Sequence, residues 1–275
     1  MGARTMMNAL VGFGVGIAGG LIGLGGAELR LPYLVGVLGL TAHKAVPVNL
    51  AISLLTILAA VPTRLLALPD VSIAPFLAET IAIAIGAVVA AWIGAGWLKS
   101  ISGRALARLI FVLLAVLGVG LLVEAGLSFE SDGLLPQALP IRLAAALFFG
   151  FLIGAISSVL GVAGGEVIIP TLVFGYGVPI KTAGSLSMLI SLPTVLTGMV
   201  RHARAGAFSD RVVMRDIVVP MALASAFGAV IGGVLAIYVA GGLIKAMLGV
   251  ILIWSAWKAF AKDAQQAVGA PAGTS

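Results

Sequence analysis

The feature that most constrains this chain is a succession of long apolar runs that carry almost no charge. Only 9% of the 275 residues are charged and 61% are hydrophobic, whereas a soluble domain has about 25% charged residues. So few charges cannot cover a water-exposed surface of this size, so most of the surface must face lipid. Soluble enzymes, nucleic-acid binders and disordered chains are therefore excluded. The runs are Met6–Leu24, Leu29–Leu40, Ala45–Leu66, Val71–Leu98, Ala105–Leu122, Ile141–Leu160, Val167–Tyr176, Ala183–Val200, Ile217–Val239 and Leu243–Phe260.

The basic charge of the chain indicates membrane orientation and not a nucleic-acid partner. There are 16 Lys and Arg residues against 10 Asp and Glu residues, and the basic residues are scattered between the apolar runs instead of forming one patch. The chain has no cysteine, which excludes disulfides, thiolate metal sites and thiol nucleophiles. We expect no cofactor and no metal.

An internal repeat organises the sequence. A shift of 138 positions aligns Gly12–Leu58 with Gly150–Leu196 without a gap, and 16 of the 47 pairs are identical. The identities include Glu28 with Glu166, and apolar composition alone would not match a glutamate in register in so polar-poor a chain. Internal repeats are common in transporter folds. Because the N-terminal run has a counterpart deep in the chain, we interpret it as part of the mature protein and not as a signal peptide.

Two of the runs are too short to cross a bilayer. Leu29–Leu40 and Val167–Tyr176 cover less than about 20 Å at 1.5 Å per residue, whereas the hydrocarbon core is about 30 Å thick. Each follows a glycine-rich turn and contains a proline. Short, glycine-interrupted segments in matching positions of two halves indicate discontinuous helices at a binding site.

The sequence therefore predicts an all-α polytopic membrane protein built from two inverted repeats. Each repeat is a Gly-broken helical hairpin followed by three transmembrane helices. The first repeat is expected over residues 1–126, an extracytoplasmic linker over 127–140, the second repeat over 141–262 and a flexible cytoplasmic tail over 263–275.

The distribution of charge favours the hairpin topology. If each short limb turns back, eleven basic residues lie on one side of the membrane and four on the other; if each broken pair forms one span, the division is nine against six. The positive-inside rule favours the first arrangement and places both termini in the cytoplasm. The eleven are Arg4, Lys44, Lys99, Arg104, Arg108, Arg201, Arg204, Arg211, Arg215, Lys258 and Lys262, and the four are Arg64, Arg142, Lys181 and Lys245.

The glycine-rich breaks are the first candidate substrate site. Irregular backbone at membrane depth is tolerated only where protein buries it or water reaches it, and the free N–H groups at the start of each short limb favour an anion. The alternative is that the glycines only pack helices, as in Gly12-x-x-x-Gly16. The candidate glycines are Gly23, Gly25, Gly26, Gly161, Gly164 and Gly165.

Three charged residues lie at the start of the short limbs. Glu28 and Glu166 match in register, and they serve either proton coupling or gating, or cap their helices by accepting from free N–H groups. Arg30 has no basic counterpart, because Ile168 occupies the matching position. It either attracts an anion or pairs locally with an acid.

The spans that follow the hairpins add polar groups at helical spacing, so that each set lies on one helix face. Such donors suit an oxyanion substrate, or they form interhelical hydrogen bonds. The sets are Asn49, Ser53 and Thr56 in the first half, and Ser187, Ser191 and Thr194 in the second, with Ser185 as a weaker candidate.

Other polar residues have weaker interpretations. His43 and Lys181 are in register at the ends of the short limbs and are expected to anchor at the membrane surface. A cytoplasmic loop at the inner mouth is expected at Arg201, His202 and Arg204. Glu79 lies inside an apolar span and has no assigned role.

The segments GGLIGLGGAELRLPYL and SSVLGVAGGEVIIPTL resemble the sulfite exporter TauE/SafE family of bacterial membrane permeases. The resemblance extends through both repeats and implies transport of sulfite, sulfonates such as sulfoacetate, or other small anions. The three consecutive glycines frequent in that family are interrupted here, as Gly25-Gly26-Ala27 and Ala163-Gly164-Gly165.

Two functions follow from these observations. The first is a secondary transporter that exports a small sulfur-containing anion across the inner membrane by alternating access. The alternative is a proton- or cation-coupled permease for another solute, with Glu28 and Glu166 as the ion sites. An enzyme is not expected, since the chain has two histidines, neither in an HExxH spacing, and no Walker A motif. The expected partners are a small anionic substrate and the lipid bilayer.

Overall fold

The computed structural model describes residues 3–68, 71–97, 103–127, 133–160 and 163–268. Every regular element in these ranges is helical, in agreement with the predicted all-α class. The helices are α1 (Ala3–Ile22), α2 (Ala27–Gly36), α3 (Ala42–Ala67), α4 (Leu77–Trp97), α5 (Gly103–Leu127), α6 (Leu139–Leu160), α7 (Gly165–Pro170), α8 (Ile180–Arg204), α9 (Arg211–Val213), α10 (Val219–Leu235) and α11 (Gly241–Val268).

Six helical segments within the described residues are long and apolar enough to cross a membrane. They confirm a polytopic membrane protein. Helices α5 and α11 add shorter apolar stretches at Val112–Gly126 and Gly241–Trp257. The six segments are Arg4–Ile22, His43–Ala67, Ala74–Ile93, Leu139–Ser157, Ile180–Arg204 and Arg211–Leu235.

The helix bounds differ from the apolar runs in a few places. Helix α7 continues as a π-helix over Thr171–Gly175, and a second π-helix at Met214–Val218 joins α9 to α10. Helix α10 ends at Leu235, before the end of its apolar run. Helix α11 continues to Val268, so the first part of the expected flexible tail is helical. Residues 269–275 of the tail and residues 128–132 of the expected linker lie outside the described residues.

Both short helices turn back toward the start of the helix that precedes them. The Tyr33 hydroxyl in α2 donates to Asn8 Oδ1 near the start of α1 at 2.8 Å. In the second half, the N–H groups of Leu134 and Leu135, just before α6, donate to the carbonyls of Phe174 and Gly175 at 2.8 and 3.0 Å. Each half therefore opens with a hairpin of one long and one short limb.

The two halves pack by exchanging partners. Helix α1 packs on α10 and the matching helix α6 packs on α4, so the first helix of each half lies against the other half. Helix α3 contacts α8, and α5 contacts α11, and these pairs also match under the shift of 138 positions. The contacts are those of a pseudo-twofold arrangement, whose inversion across the membrane stays a prediction.

Glycines make these cross-half contacts close. A Cβ atom on Gly16 of α1 would collide with the Ser225 carbonyl of α10, and Gly12 and Gly20 face α10 in the same way one turn to either side. In the matching pair, Gly154 of α6 lies on the Ala87 carbonyl of α4. The packing role of Gly12-x-x-x-Gly16 follows from these contacts, since small residues let helix backbones approach in a membrane.

Candidate functional site

The two glycine-rich breaks lie in contact at the centre of the molecule. Gly26 and Gly164 immediately precede α2 and α7 and take φ angles of 73° and 80°, a left-handed conformation that a residue with a Cβ rarely adopts. A Cβ built on Gly165 would lie 3.1 Å from Leu24 Cα in the other break. The repeat therefore brings its two irregular segments together, which is the arrangement expected of a site between discontinuous helices.

The other candidate glycines shape the same region. Gly25 has a φ of 77°, and Gly23, with a φ of 102°, lies directly against Gly184 of α8. The positive φ angle requires glycine at both positions, whether or not the residue also contacts a substrate. Gly161 lies outside the described residues.

Arg30 is fully buried beside the first break and all five of its N–H donors are used. Its Nε donates to Asn49 Oδ1 at 3.4 Å, and its Nη2 donates to Ser53 Oγ and the Gly25 carbonyl at 2.7 and 2.8 Å. Its Nη1 donates to Thr56 Oγ1 at 3.1 Å and to Ser225 Oγ at 2.6 Å. Every acceptor is neutral, so the first polar set on α3 holds this guanidinium in place.

The second half repeats the arrangement without the arginine. Ser191 Oγ donates directly to the Ala163 carbonyl of the second break at 2.9 Å, whereas in the first half Arg30 bridges the matching Ser53 and Gly25 carbonyl. Ile168, at the position of Arg30, is buried. The candidate site is thus symmetric in backbone and asymmetric in charge.

The remaining polar residues of α8 differ in their surroundings. Thr194 Oγ1 donates to the Ile190 carbonyl of its own helix at 3.0 Å. Ser187, the counterpart of Asn49, is buried, and its Oγ has no hydrogen-bond partner among the residues that the structure describes. Ser185 Oγ accepts from Arg64 Nε at 3.0 Å.

The two glutamates are both buried, and the charges of their carboxylates lie within range of each other. Glu166 Oε1 accepts from Ser255 Oγ of α11 at 2.8 Å. Neither carboxylate oxygen of Glu28 has a hydrogen-bond partner in the described part of the chain, although Arg30 is near enough to interact with it electrostatically. The N-cap residues of α2 and α7 are Gly26 and Gly164, which have no side chain that could cap the helices.

Arg64 is a residue whose role the sequence does not indicate. The charge distribution places Arg64 among the four basic residues on one side of the membrane. In the structure it is fully buried near the end of α3. Its Nη1 donates to the Gly20 and Leu21 carbonyls, both at 2.7 Å, and its Nη2 donates to the Lys181 carbonyl at 2.8 Å. It thereby satisfies free carbonyls at the end of α1 and joins α1, α3 and α8.

Comparison with protein families identifies the family of this chain. The family described as sulfite exporter TauE/SafE matches residues 2–121 and 146–274, which is nearly the whole chain. The chain belongs to the sulfite exporter TauE/SafE family. It is therefore a multi-pass membrane transporter and not an enzyme. Comparison with curated proteins gives no match.

In this TauE/SafE chain, Glu79 is explained by an ion pair. Its Oε1 accepts from Arg142 Nε at 2.7 Å, and both side chains are buried. Arg142 also donates to Gln137 Oε1 at 3.1 Å and lies over the Tyr176 ring. The pair joins α4 to the start of α6. The repeat does not predict this pair, because the residue that matches Glu79 in the second half is Ile217.

At the opposite end of the TauE/SafE fold, the basic residues cluster. Arg201 and His202 are half-buried in the last turn of α8, and His43 is exposed and within electrostatic range of His202. Arg204 lies over the Trp92 ring. Lys44 forms an exposed ion pair with Asp210 at 3.1 Å, and this hydrogen bond lowers the pKa of the Asp210 carboxyl. Lys181 lies at the other end of α8, beside Arg64, and its Nζ donates to the Ile237 carbonyl at 3.2 Å.

Two serines complete the centre and were missed by the sequence reasoning. Ser225 of α10 accepts from Arg30, and Ser255 of α11 donates to Glu166. Neither has a polar counterpart in the other half, because positions 87 and 117 are Ala and Leu. The signal that could have found Ser225 is that it is the single hydroxyl in an otherwise apolar span.

Proposed function

We propose that the chain is a secondary transporter that exports a small sulfur-containing anion, such as sulfite or a sulfonate, across the bacterial inner membrane by alternating access. The observation that carries this proposal is the guanidinium of Arg30, buried beside the two joined breaks and hydrogen-bonded only to neutral acceptors. Membership of the TauE/SafE family supports the same substrate class.

The charge of Arg30 favours an anion even though its N–H donors are occupied. Hydrogen bonds to hydroxyl and carbonyl groups orient a cation without cancelling its field, and that field extends further in a low-dielectric interior than in water. Arg64 is held in the same way, by carbonyls and a hydroxyl. Arg30 and Arg64 are two buried cations near the breaks, and when the buried Glu28 and Glu166 are protonated they give the centre a positive potential that attracts an anionic solute.

Glu28 supplies a means of coupling, and it also keeps the alternative function open. Its carboxylate interacts electrostatically with Arg30 and has no hydrogen-bond partner among the described residues. When Glu28 is protonated, the charge of Arg30 is unbalanced and an anion is favoured; when the proton leaves, the carboxylate balances Arg30 and disfavours the anion. In the alternative, Glu28 and Glu166 bind a proton or cation that drives another solute.

The experiment that separates these functions measures ligand-induced thermal stabilisation of the detergent-solubilised protein. The sodium salts of sulfite, sulfoacetate, sulfate and thiosulfate, and zwitterionic taurine, are compared with sodium chloride and potassium chloride at equal ionic strength. A bound ligand stabilises the folded state by an amount that grows with its concentration. Stabilisation by a sulfur anion supports the proposal, whereas stabilisation that follows the cation alone favours the alternative.

Transport itself is tested in proteoliposomes with the Glu166→Gln variant. Glutamine keeps the hydrogen bond to Ser255 within reach and removes the charge, so the protein should fold and transport should be crippled. The double variant Glu28→Gln, Glu166→Gln is measured in the same way. If its flux and the pH dependence of that flux equal those of the wild type, the carboxylates have no role in transport.

A further inference from the structure

The two ends of the pseudo-twofold arrangement are not equally closed. Arg64 and His202 are separated by 138 positions and therefore match in the repeat. Arg64 is fully buried and its guanidinium fills the space between α1, α3 and α8. His202, at the matching place, is only half-buried and lines a cleft.

This cleft, which we call the α8 cleft, runs between α3, α4, α6 and α8. Its wall includes Leu50, Ala91, Ser157, Thr194, Arg201 and His202. Ser157 marks its inner end at the second break, because a Cβ on Gly164 would collide with Ser157 Oγ. The Ser157 side chain is 3% exposed and its Oγ has no hydrogen-bond partner within the described ranges. A buried donor is therefore free where the cleft meets the break.

The charged or titratable residues that line the α8 cleft are Arg201 and His202, and the buried Glu166 begins α7 at the break beyond its inner end. Arg201 lies at the outer end of the cleft, and its Nη1 donates to the Ala91 carbonyl at 2.9 Å. His43 lies within electrostatic range of His202. Asp210, a carboxylate at this end of the molecule, is paired with Lys44. None of the residues that line the cleft in the described structure is acidic.

We propose that the α8 cleft binds a small oxyanion and is its path between the Arg201 end of the molecule and the paired breaks. This assignment rests on the proposed anion transport and names where the anion is received. The interior has room for about one water molecule, so the anion docks first at Arg201 and His202. Separation of α4 from α8 then admits it to Ser157, while Arg64 keeps the matching path at the other end closed.

The absence of native cysteine allows a direct test by single-cysteine labelling of the purified full chain. Gly198 lines the cleft, and a Cβ there would meet only the flexible end of Leu50 at 3.2 Å. Ala60 is its match in the first half and is fully buried. The Gly198→Cys variant is compared with Ala60→Cys, using anionic and cationic methanethiosulfonate reagents of similar size.

We expect the Gly198→Cys variant to react about tenfold faster with the anionic reagent than with the cationic one, after correction for their rates with free cysteine, because a positive cleft concentrates anions. Sulfoacetate should slow this reaction. Ala60→Cys should react slowly with both reagents. If Gly198→Cys does not fold, Ser157→Cys, a near-isosteric change deeper in the cleft, should show the same preference for the anionic reagent at a lower overall rate.

The anionic preference must come from Arg201, the cation that lines the cleft. Arg201→Gln, introduced with Gly198→Cys, should reduce it severalfold, whereas Arg204→Gln, an exposed change in the same turn, should leave it intact. Equal rates with both reagents, or labelling of Ala60→Cys as fast as of Gly198→Cys, would overturn the assignment.

The two proposals fail in different ways. If sulfur anions stabilise the wild-type protein but the labelling shows no anionic preference, the α8 cleft is not the anion path. The proposed transport of a sulfur anion still stands in that case. If no anion stabilises the protein, the proposed substrate class is wrong. The ratio of the two labelling rates still decides whether the cleft attracts anions.

Discussion

At the scale of single residues, Arg30 makes the two halves of the repeat chemically different. Its acceptors come from α3, α10 and the first break, so one side chain joins three elements that the repeat alone leaves separate. The matching Ile168 cannot do this, and Ser191 bonds the second break directly. A single unpaired position thus makes two nearly equivalent hairpins chemically different.

Replacing Arg30 by lysine should destabilise the protein strongly although the charge is kept. Lysine has three donors on a flexible stem and cannot reproduce the planar five-donor fork. Hydrogen bonds to charged groups contribute about 1.5–3 kcal/mol each, so we expect Arg30→Lys to lower the free energy of unfolding by about 3 kcal/mol. The thermal midpoint in detergent measures this. Arg204→Lys, which loses only an exposed contact with Trp92, should differ little from wild type, and equal midpoints would contradict the role of Arg30.

Glu28 should be dispensable for folding and required for coupling. Because neither of its carboxylate oxygens has a hydrogen-bond partner in the described structure, Glu28→Gln removes a charge without breaking a bond. We expect a thermal midpoint close to that of wild type and anion flux in proteoliposomes that no longer responds to a pH gradient. Glu79→Gln is the contrasting control, since it breaks the buried pair with Arg142 and should lower the midpoint. A full response to pH in Glu28→Gln would contradict the coupling.

At the scale of elements, the contact between α1 and α10 depends on backbone proximity. Gly16→Ala would place a methyl group against the Ser225 carbonyl, whereas Gly14→Ala, half a turn away, points into open space. Overpacking typically costs about 1–3 kcal/mol, so Gly16→Ala should lower the thermal midpoint and Gly14→Ala should not. Alanine raises helix propensity equally at both positions, so equal midpoints in the two variants would mean that packing against α10 does not govern position 16.

The helices could be predicted from the sequence far better than their partners could. The apolar runs locate all of the long helices, and the glycine-rich turns locate both breaks, because chain length and glycine content act locally. The pairing of α1 with α10 could not be predicted, since a glycine stripe identifies a packing face but not what lies on it. For the same reason Ser225 was missed: only the cross-half contact brings it to Arg30.

Arg64 shows the limit of counting charges. The sequence places it among the basic residues of the outer face, and it does lie at the end of α3. Its burial follows from something that no residue pattern contains, namely that the end of α1 leaves carbonyls without partners at that place. The candidate site could therefore be predicted as far as the two breaks, the glutamates and the polar sets, and not as far as the groups that bind them.

At the scale of the whole molecule, the proposed alternating access has to work through the exchange of partners between halves. The helices α1 and α6 each lie against the other half, so a movement of either hairpin in the proposed cycle must involve helices of both halves. The breaks meet on that axis, with Arg64 closing one end and His202 lining the cleft at the other. The matching positions Arg64 and His202 thus differ in burial, and the proposed alternating cycle requires such a difference between the two ends in any single state.

The orientation of this arrangement in the membrane can be tested with reporter fusions after Arg64 and after Leu127. The bond from Tyr33 to Asn8 brings the short limb of the first hairpin back toward the start of α1, so α3 begins on the side of the N-terminus and ends on the other side. Both fusions should then report an extracytoplasmic position, by active phosphatase and dark green fluorescent protein. A fusion after Arg204 serves as the control, because it is cytoplasmic whether each half opens with a hairpin or with one long span. Cytoplasmic signals at both Arg64 and Leu127 would mean that each broken pair crosses the membrane, and the halves would then not be inverted.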